Sequence, residues 1–136
     1  MNLVKGKPPI YDKIIEAGLK PLSNTVFTYG DNLYIQDLDE KDIDPILLAH
    51  EETHVEQQGD KVEEWWAKYL SDIHFRYQQE IEAYGAGYKK LVSLGAKSKM
   101  QKWFLNRFAS DLCSPMYGSL ISIPEAESKI RNQAKK

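Results

Sequence analysis

The sequence predicts an α+β domain that is mainly helical, with a small N-terminal β-hairpin packed on the first long helix. Three observations predict it. From Asp44 onward, apolar residues recur at three- and four-residue spacing between clear helix stops. Before that point, a run of β-branched and aromatic residues is followed by a turn signal and a second short apolar run. The first long helix carries His50-Glu51-Glu52-Thr53-His54, so ionisable residues fall on the arc that should face the protein.

The elements follow in order. Ile10 to Leu19 has near-helical apolar spacing and stops at Gly18 and Pro21, which predicts a short helix. Thr25 to Tyr29 and Leu33 to Ile35, separated by Gly30-Asp31-Asn32, predict a hairpin. An acidic loop, Asp37 to Asp44, leads to the motif helix. Asp44 is its expected N-cap, Pro45 suits N1 because a missing N–H costs nothing there, and Gly59 is the expected stop. Asp60 with Glu63 predicts a capping box for the next helix, whose stripe is Val62, Trp65, Trp66 and Tyr69. Further helices are expected from Ile73 to Leu94, stopped by Gly95, from about Ser98 to Leu112, and from Glu125 to about Asn132 behind Pro124. Cys113 to Pro124 reads as loop or short extended chain.

Composition narrows the function. The chain of 136 residues is expected to form a single domain, residues 1–136, with one core and a flexible basic tail from about residue 133. A net charge of -2 offers no footprint for nucleic acid or an acidic membrane surface. Cys113 is the only cysteine, so no intrachain disulfide forms. No apolar run approaches membrane-spanning length, and Met1 to Lys13 contains no apolar core of a secretory signal. A cytoplasmic protein is expected. Nothing in the chain specifies its oligomeric state.

The pentapeptide carries the chemistry. With His50 at zero on a helical wheel, His54 lies at about 40° and Glu51 at about 100°, while Glu52 and Glu56 lie on the far side. Two imidazoles one turn apart can chelate one metal ion, and a glutamate beside the first can take the proton of a water. Such a site needs a third protein ligand. Gln57 and Asp60 stand where the metzincin pattern needs Gly and His, so the third ligand lies elsewhere. The candidates are Glu80, Glu82, His74 and Asp111. On the Ile73–Leu94 helix, Glu80 sits at the edge of the apolar stripe containing Tyr77, Ile81 and Tyr84, whereas Glu82 falls with Gln78, Lys89 and Lys90 and reads as solvated. An alternative role for Glu80 is an ion pair with Arg76 one turn before it. Ala83 and Gly87 continue the Glu80 edge with minimal bulk, which suits close approach of another helix. His74 reads as a core or cleft residue.

These residues carry a resemblance. His50-Glu51-x-x-His54, 25 intervening residues, then Glu80-Ile81-Glu82-Ala83-Tyr84 resembles the small gluzincin-type zinc metallopeptidases. It also resembles phage and bacterial metallopeptidase-like proteins that share a hairpin, an HExxHxxQQ-like helix, here ending Gln57-Gln58, and an ExEAY helix. The resemblance covers about Leu33 to Tyr88 and implies a zincin-like fold, with one Zn2+ per chain on His50, His54 and Glu80 and Glu51 as general base. It implies hydrolysis of a peptide or protein substrate held along an edge strand of the hairpin, and it is compatible with a phage origin. Tyr84 replaces the aspartate that the family uses to steady a histidine ligand. Tyr84 is a candidate supporting group, its hydroxyl able to do similar work, and His74, Tyr77 and Tyr117 are alternative candidates for an oxyanion donor. Two rival expectations are a catalytically silent, zinc-binding structural or virion-associated module and a metal-free helical adaptor.

Overall fold

The computed structural model describes all residues, 1–136. The chain is α+β and mostly helical: β1 (Asn2–Lys5), α1 (Tyr11–Glu16), β2 (Phe27–Tyr29), β3 (Asn32–Ile35), α2 (Pro45–Gln58), α3 (Val62–Ser71), α4 (Ile73–Ser93), α5 (Ser98–Leu112) and α6 (Ile123–Ala134). Single 3-10 turns occupy Glu40–Asp42 and Pro115–Tyr117. No helix is long and apolar enough to cross a membrane.

The hairpin β2–β3 turns at Gly30-Asp31, with Gly30 at φ +60, a left-handed value that glycine adopts without strain. Strand β1 was not expected. It runs parallel to β3, pairing Asn2 with Asn32 through Lys5 with Ile35, and makes the sheet order β1-β3-β2. Its four residues are mostly exposed and carry no alternating pattern, so only the non-local pairing defines it.

Helix α2 begins as its sequence dictates. The Asp44 carboxylate accepts the Leu47 N–H at 2.8 Å, Pro45 fills N1, and Gly59 ends the helix at φ +52. The expected capping box of α3 does not form. Lys61 is its N-cap and no side chain caps it. Helix α6 starts two residues earlier than expected, capped by Ser122, whose Oγ accepts from the Glu125 N–H. It also continues through Ala134, so Gln133 and Ala134 belong to the helix rather than to a flexible tail.

Two apolar clusters hold these elements. One joins α4, α5 and α6 through Tyr77, Ile81, Leu105, Ala109, Leu112 and Ile130. The other joins α1, β2 and α3 through Ile14, Leu19, Phe27, Trp65, Trp66 and Tyr69. The two glycines inside α4 serve different contacts. A Cβ on Gly85 would stand 2.6 Å from Gln133 Cγ and 2.8 Å from its Cβ, so α6 packs directly on that position. A Cβ on Gly87 would meet only ordinary contacts on α2, the nearest being the Ile46 carbonyl at 3.4 Å. Gly85→Ala is therefore expected to lower stability by about 1 kcal/mol, overpacking outweighing helix propensity. Gly87→Ala is expected to gain up to about 1 kcal/mol, while Gly87→Leu should drive α2 and α4 apart. Thermal denaturation of the three variants checks the order.

Candidate functional site

The buried residues of α2 are Glu51, His54 and Gln58, all polar. A helix that buries only polar side chains needs a partner for each, because an unpaired buried polar group costs about 1–3 kcal/mol. Each has one. Helix α4 crosses close by, with Ala83 fully buried and Gly87 against Ile46 and His50, as the small-residue edge predicts. That approach delivers Glu80. Its Oε1 lies 3.1 Å from His50 Nε2 and 3.3 Å from His54 Nε2. Its Oε2 accepts the Tyr69 hydroxyl at 2.7 Å. The two imidazole nitrogens and one carboxylate oxygen fall within 4.8 Å of one another and could hold a metal ion. Arg76 is not a partner of Glu80. Its guanidinium donates to the Tyr69, Leu70 and Met116 carbonyls instead.

The donor set suits an ion because His54 is held in register from behind. Its Nδ1 lies 2.8 Å from Gln57 Oε1, and an amide oxygen only accepts, so Nδ1 carries hydrogen and Nε2 faces Glu80. The Gln57 amide is fixed in turn by donating to the Gln79 carbonyl and to Glu82 Oε2, both at 3.0 Å. Glu82 is thus half-buried and engaged rather than solvated. Burial alone would raise the Glu80 carboxyl, but the neighbouring His54 and His50 outweigh it and hold Glu80 well below the usual carboxylate range. Burial likewise disfavours His54 protonation, yet Glu80 raises it from 6.5 to about 9.

Glu51 sits one residue along the same arc, 6% exposed, with its Oε2 accepting the Thr28 hydroxyl at 2.6 Å. Strand β2 supplies that hydroxyl. Gln58 clamps the strand in place, donating to the Thr28 carbonyl and accepting the Gly30 N–H, both at 2.8 Å. Trp66 adds a second donor to the Thr28 carbonyl at 3.2 Å. His50, His54, Glu80 and Glu51 open on one cavity of about 360 Å³ between the two apolar clusters. No family model, curated protein or solved structure matches the chain.

The other residues named from sequence divide. Tyr84 lines the cavity, but it meets His50 edge-on, ring centroids 4.5 Å apart, and its hydroxyl donates to Asp111 at 3.4 Å rather than to a histidine nitrogen. Tyr117 lines the cavity, its hydroxyl beside that of Tyr69. Burial raises the Tyr69, Tyr84 and Tyr117 phenols well above 10, so all three remain protonated at neutral pH. His74 is exposed in the first turn of α4 and does not line the cavity, because no element packs over that turn's outer side. Tyr77 is also absent from the lining; it is buried in the α4–α6 cluster and its hydroxyl has no partner. Asp111 stands at the cavity rim, not against the histidines.

The roles of three contributors were not read from the sequence, although Gln57 stands in the HExxHxxQQ-like pattern. Tyr69 read as one more apolar stripe residue, although a buried phenol needs a hydrogen-bond partner. Thr28 read as strand former. Gln57, at i+3 from His54 on the same helical face, was the most accessible signal of the three.

Proposed function

We propose that this chain is a zinc-dependent peptide hydrolase with a zincin-like arrangement of sheet and helices, binding one zinc ion through His50, His54 and Glu80. The observation that carries the reading is the convergence of His50 Nε2, His54 Nε2 and Glu80 Oε1 in the cavity that also holds Glu51. Three protein donors of this kind leave a coordination position for water or substrate, the pattern of catalytic rather than structural zinc. When bound, zinc supplies Lewis acidity, lowering the pKa of a coordinated water to about 7 and polarising the scissile carbonyl. Glu51 takes the proton released as the water oxygen bonds to the carbonyl carbon, and passes it to the amine nitrogen as the C–N bond breaks. Thr28 holds the carboxylate by its Oε2, leaving Oε1 for that transfer. Tyr117, which lines the cavity with its hydroxyl beside that of Tyr69, is the remaining candidate oxyanion donor, Tyr84 being turned to Asp111 and Tyr69 to Glu80. The substrate strand cannot pair with β2 at Thr28 and Gly30, where Gln58 already occupies the edge; Asn24 to Phe27, which also line the cavity, offer the remaining stretch.

Metal analysis of the purified protein and turnover of a broad peptide mixture test the reading. No bound zinc favours the helical adaptor, and zinc without turnover favours the silent module. The link behind His54 gives a further expected outcome. Gln57→Leu should weaken zinc binding about 10–100-fold, the usual effect of losing a partner that orients a histidine ligand, and Glu82→Ala, which acts only through Gln57, should weaken it less. Competition with a chromogenic chelator measures it.

A further inference from the structure

The cavity does not end at the proposed metal ligands. Its α5 wall is aromatic and runs out to the surface. The Tyr84 ring that meets His50 lies 5.2 Å from Phe108, Phe108 lies 5.8 Å from Phe104, and Phe104 lies 5.0 Å from Trp103, centroid to centroid. Phe104 and Phe108 line the cavity together with the histidines. Trp103 is 58% exposed and Met100 50%. The core accounts for only part of this row: Tyr84 and Phe108 pack against the α4–α5–α6 cluster, whereas Phe104 and Trp103 belong to neither cluster. Leu105, Ala109 and Leu112 already supply the buried face of α5. Met100, Phe104 and Phe108 fall at successive four-residue steps, so they form a second apolar stripe on the same helix. Exposed apolar surface continuous with a cleft marks a place where apolar substrate is held. The α5 residues that line the cavity are Phe104, Phe108 and Asp111, and the two rings offer apolar contact.

We propose that the row Phe108–Phe104–Trp103 is a substrate-docking wall, which holds an apolar, aromatic-containing segment of the peptide to one side of the scissile bond. The inference rests on the peptidase reading and names its substrate class. From Phe108 to Trp103 the helix rises about 7.5 Å, enough for about two residues of extended peptide at about 3.3 Å each. The segment recognised is therefore short and lies along α5.

The test uses binding, so that it stands apart from turnover. Full-length Glu51→Gln protein is titrated into two fluorescein-labelled octapeptides, one with Phe and Leu in half of its positions and one with Ser and Gln in their place. Anisotropy should show the apolar peptide binding at least about tenfold tighter, one or two buried side chains being enough for that ratio. Trp103→Ala and Phe104→Ala in the same background should each remove most of the preference with zinc content unchanged, and Trp103→Phe should restore it. Equal binding of the two peptides, or a preference that survives both alanine variants, overturns the proposal. So does light scattering that shows a dimer which Trp103→Ala converts to monomer, since the row would then be a contact between copies. Failure of the peptidase reading appears separately, as wild-type protein without zinc or without turnover.

Discussion

Glu51→Gln is expected to retain one zinc ion per chain and to lower peptide hydrolysis at least about a hundredfold. Glutamine has the shape of glutamate, and its carbonyl oxygen can still accept the Thr28 hydroxyl that now lies 2.6 Å from Glu51 Oε2. The ligand atoms are on other residues, so nothing that would hold the metal is removed. What is lost is a carboxylate oxygen able to take a proton. A matched cleavage assay on wild type and variant, with metal content measured on the same samples, isolates that loss. Equal activity in both would overturn the role given to Glu51. Thr28→Val provides a graded comparison, because it frees the carboxylate without neutralising it and so should cost less than Glu51→Gln.

Much of this arrangement was legible because its signals are local. Asp44-Pro45 and Gly59 mark the ends of α2 within a residue, and the four-residue spacing of His50 and His54 sets their shared direction whatever surrounds them. Glu80 was legible for a related reason: an acid on the buried edge of an apolar stripe demands a partner. The failures share a cause. A wheel describes one helix and cannot see what its neighbour brings. Glu82 points away from the apolar stripe of α4, but Gln57 reaches it from α2 and joins it to His54. His74 sits near the apolar stripe of α4, but at the helix end, where nothing packs over it. Strand β1 exists only through β3, some thirty residues on, and its own four residues carry no pattern to read.

Glu80→Ala is expected to empty the metal site, weakening zinc binding well beyond the roughly 10–100-fold that loss of an orienting partner costs. The side chain does three things at once. Its Oε1 faces both histidine Nε2 atoms, its Oε2 receives the Tyr69 hydroxyl, and its negative charge stands beside the inward arc of α2. Alanine removes a proposed ligand, the acceptor of the Tyr69 hydroxyl and the carboxylate facing both histidine Nε2 atoms, so the protein should also lose stability, at about 1–3 kcal/mol for each buried group left unsatisfied. Glu80→Gln separates the two effects. It can keep the hydrogen bond from Tyr69 and most of the packing while removing the negative charge, so it should preserve more stability than alanine yet still bind zinc poorly. Glu52→Ala, on the solvent face of the same motif, should change neither. The expected order of zinc affinity is wild type and Glu52→Ala, then Glu82→Ala, then Glu80→Gln, then Glu80→Ala. A chelator titration that placed Glu82→Ala below Glu80→Ala would make Glu82 the ligand and Glu80 its support. The geometry argues against that inversion, because the Glu82 carboxylate meets the Gln57 amide, one side chain removed from the imidazole, whereas Glu80 touches both rings directly.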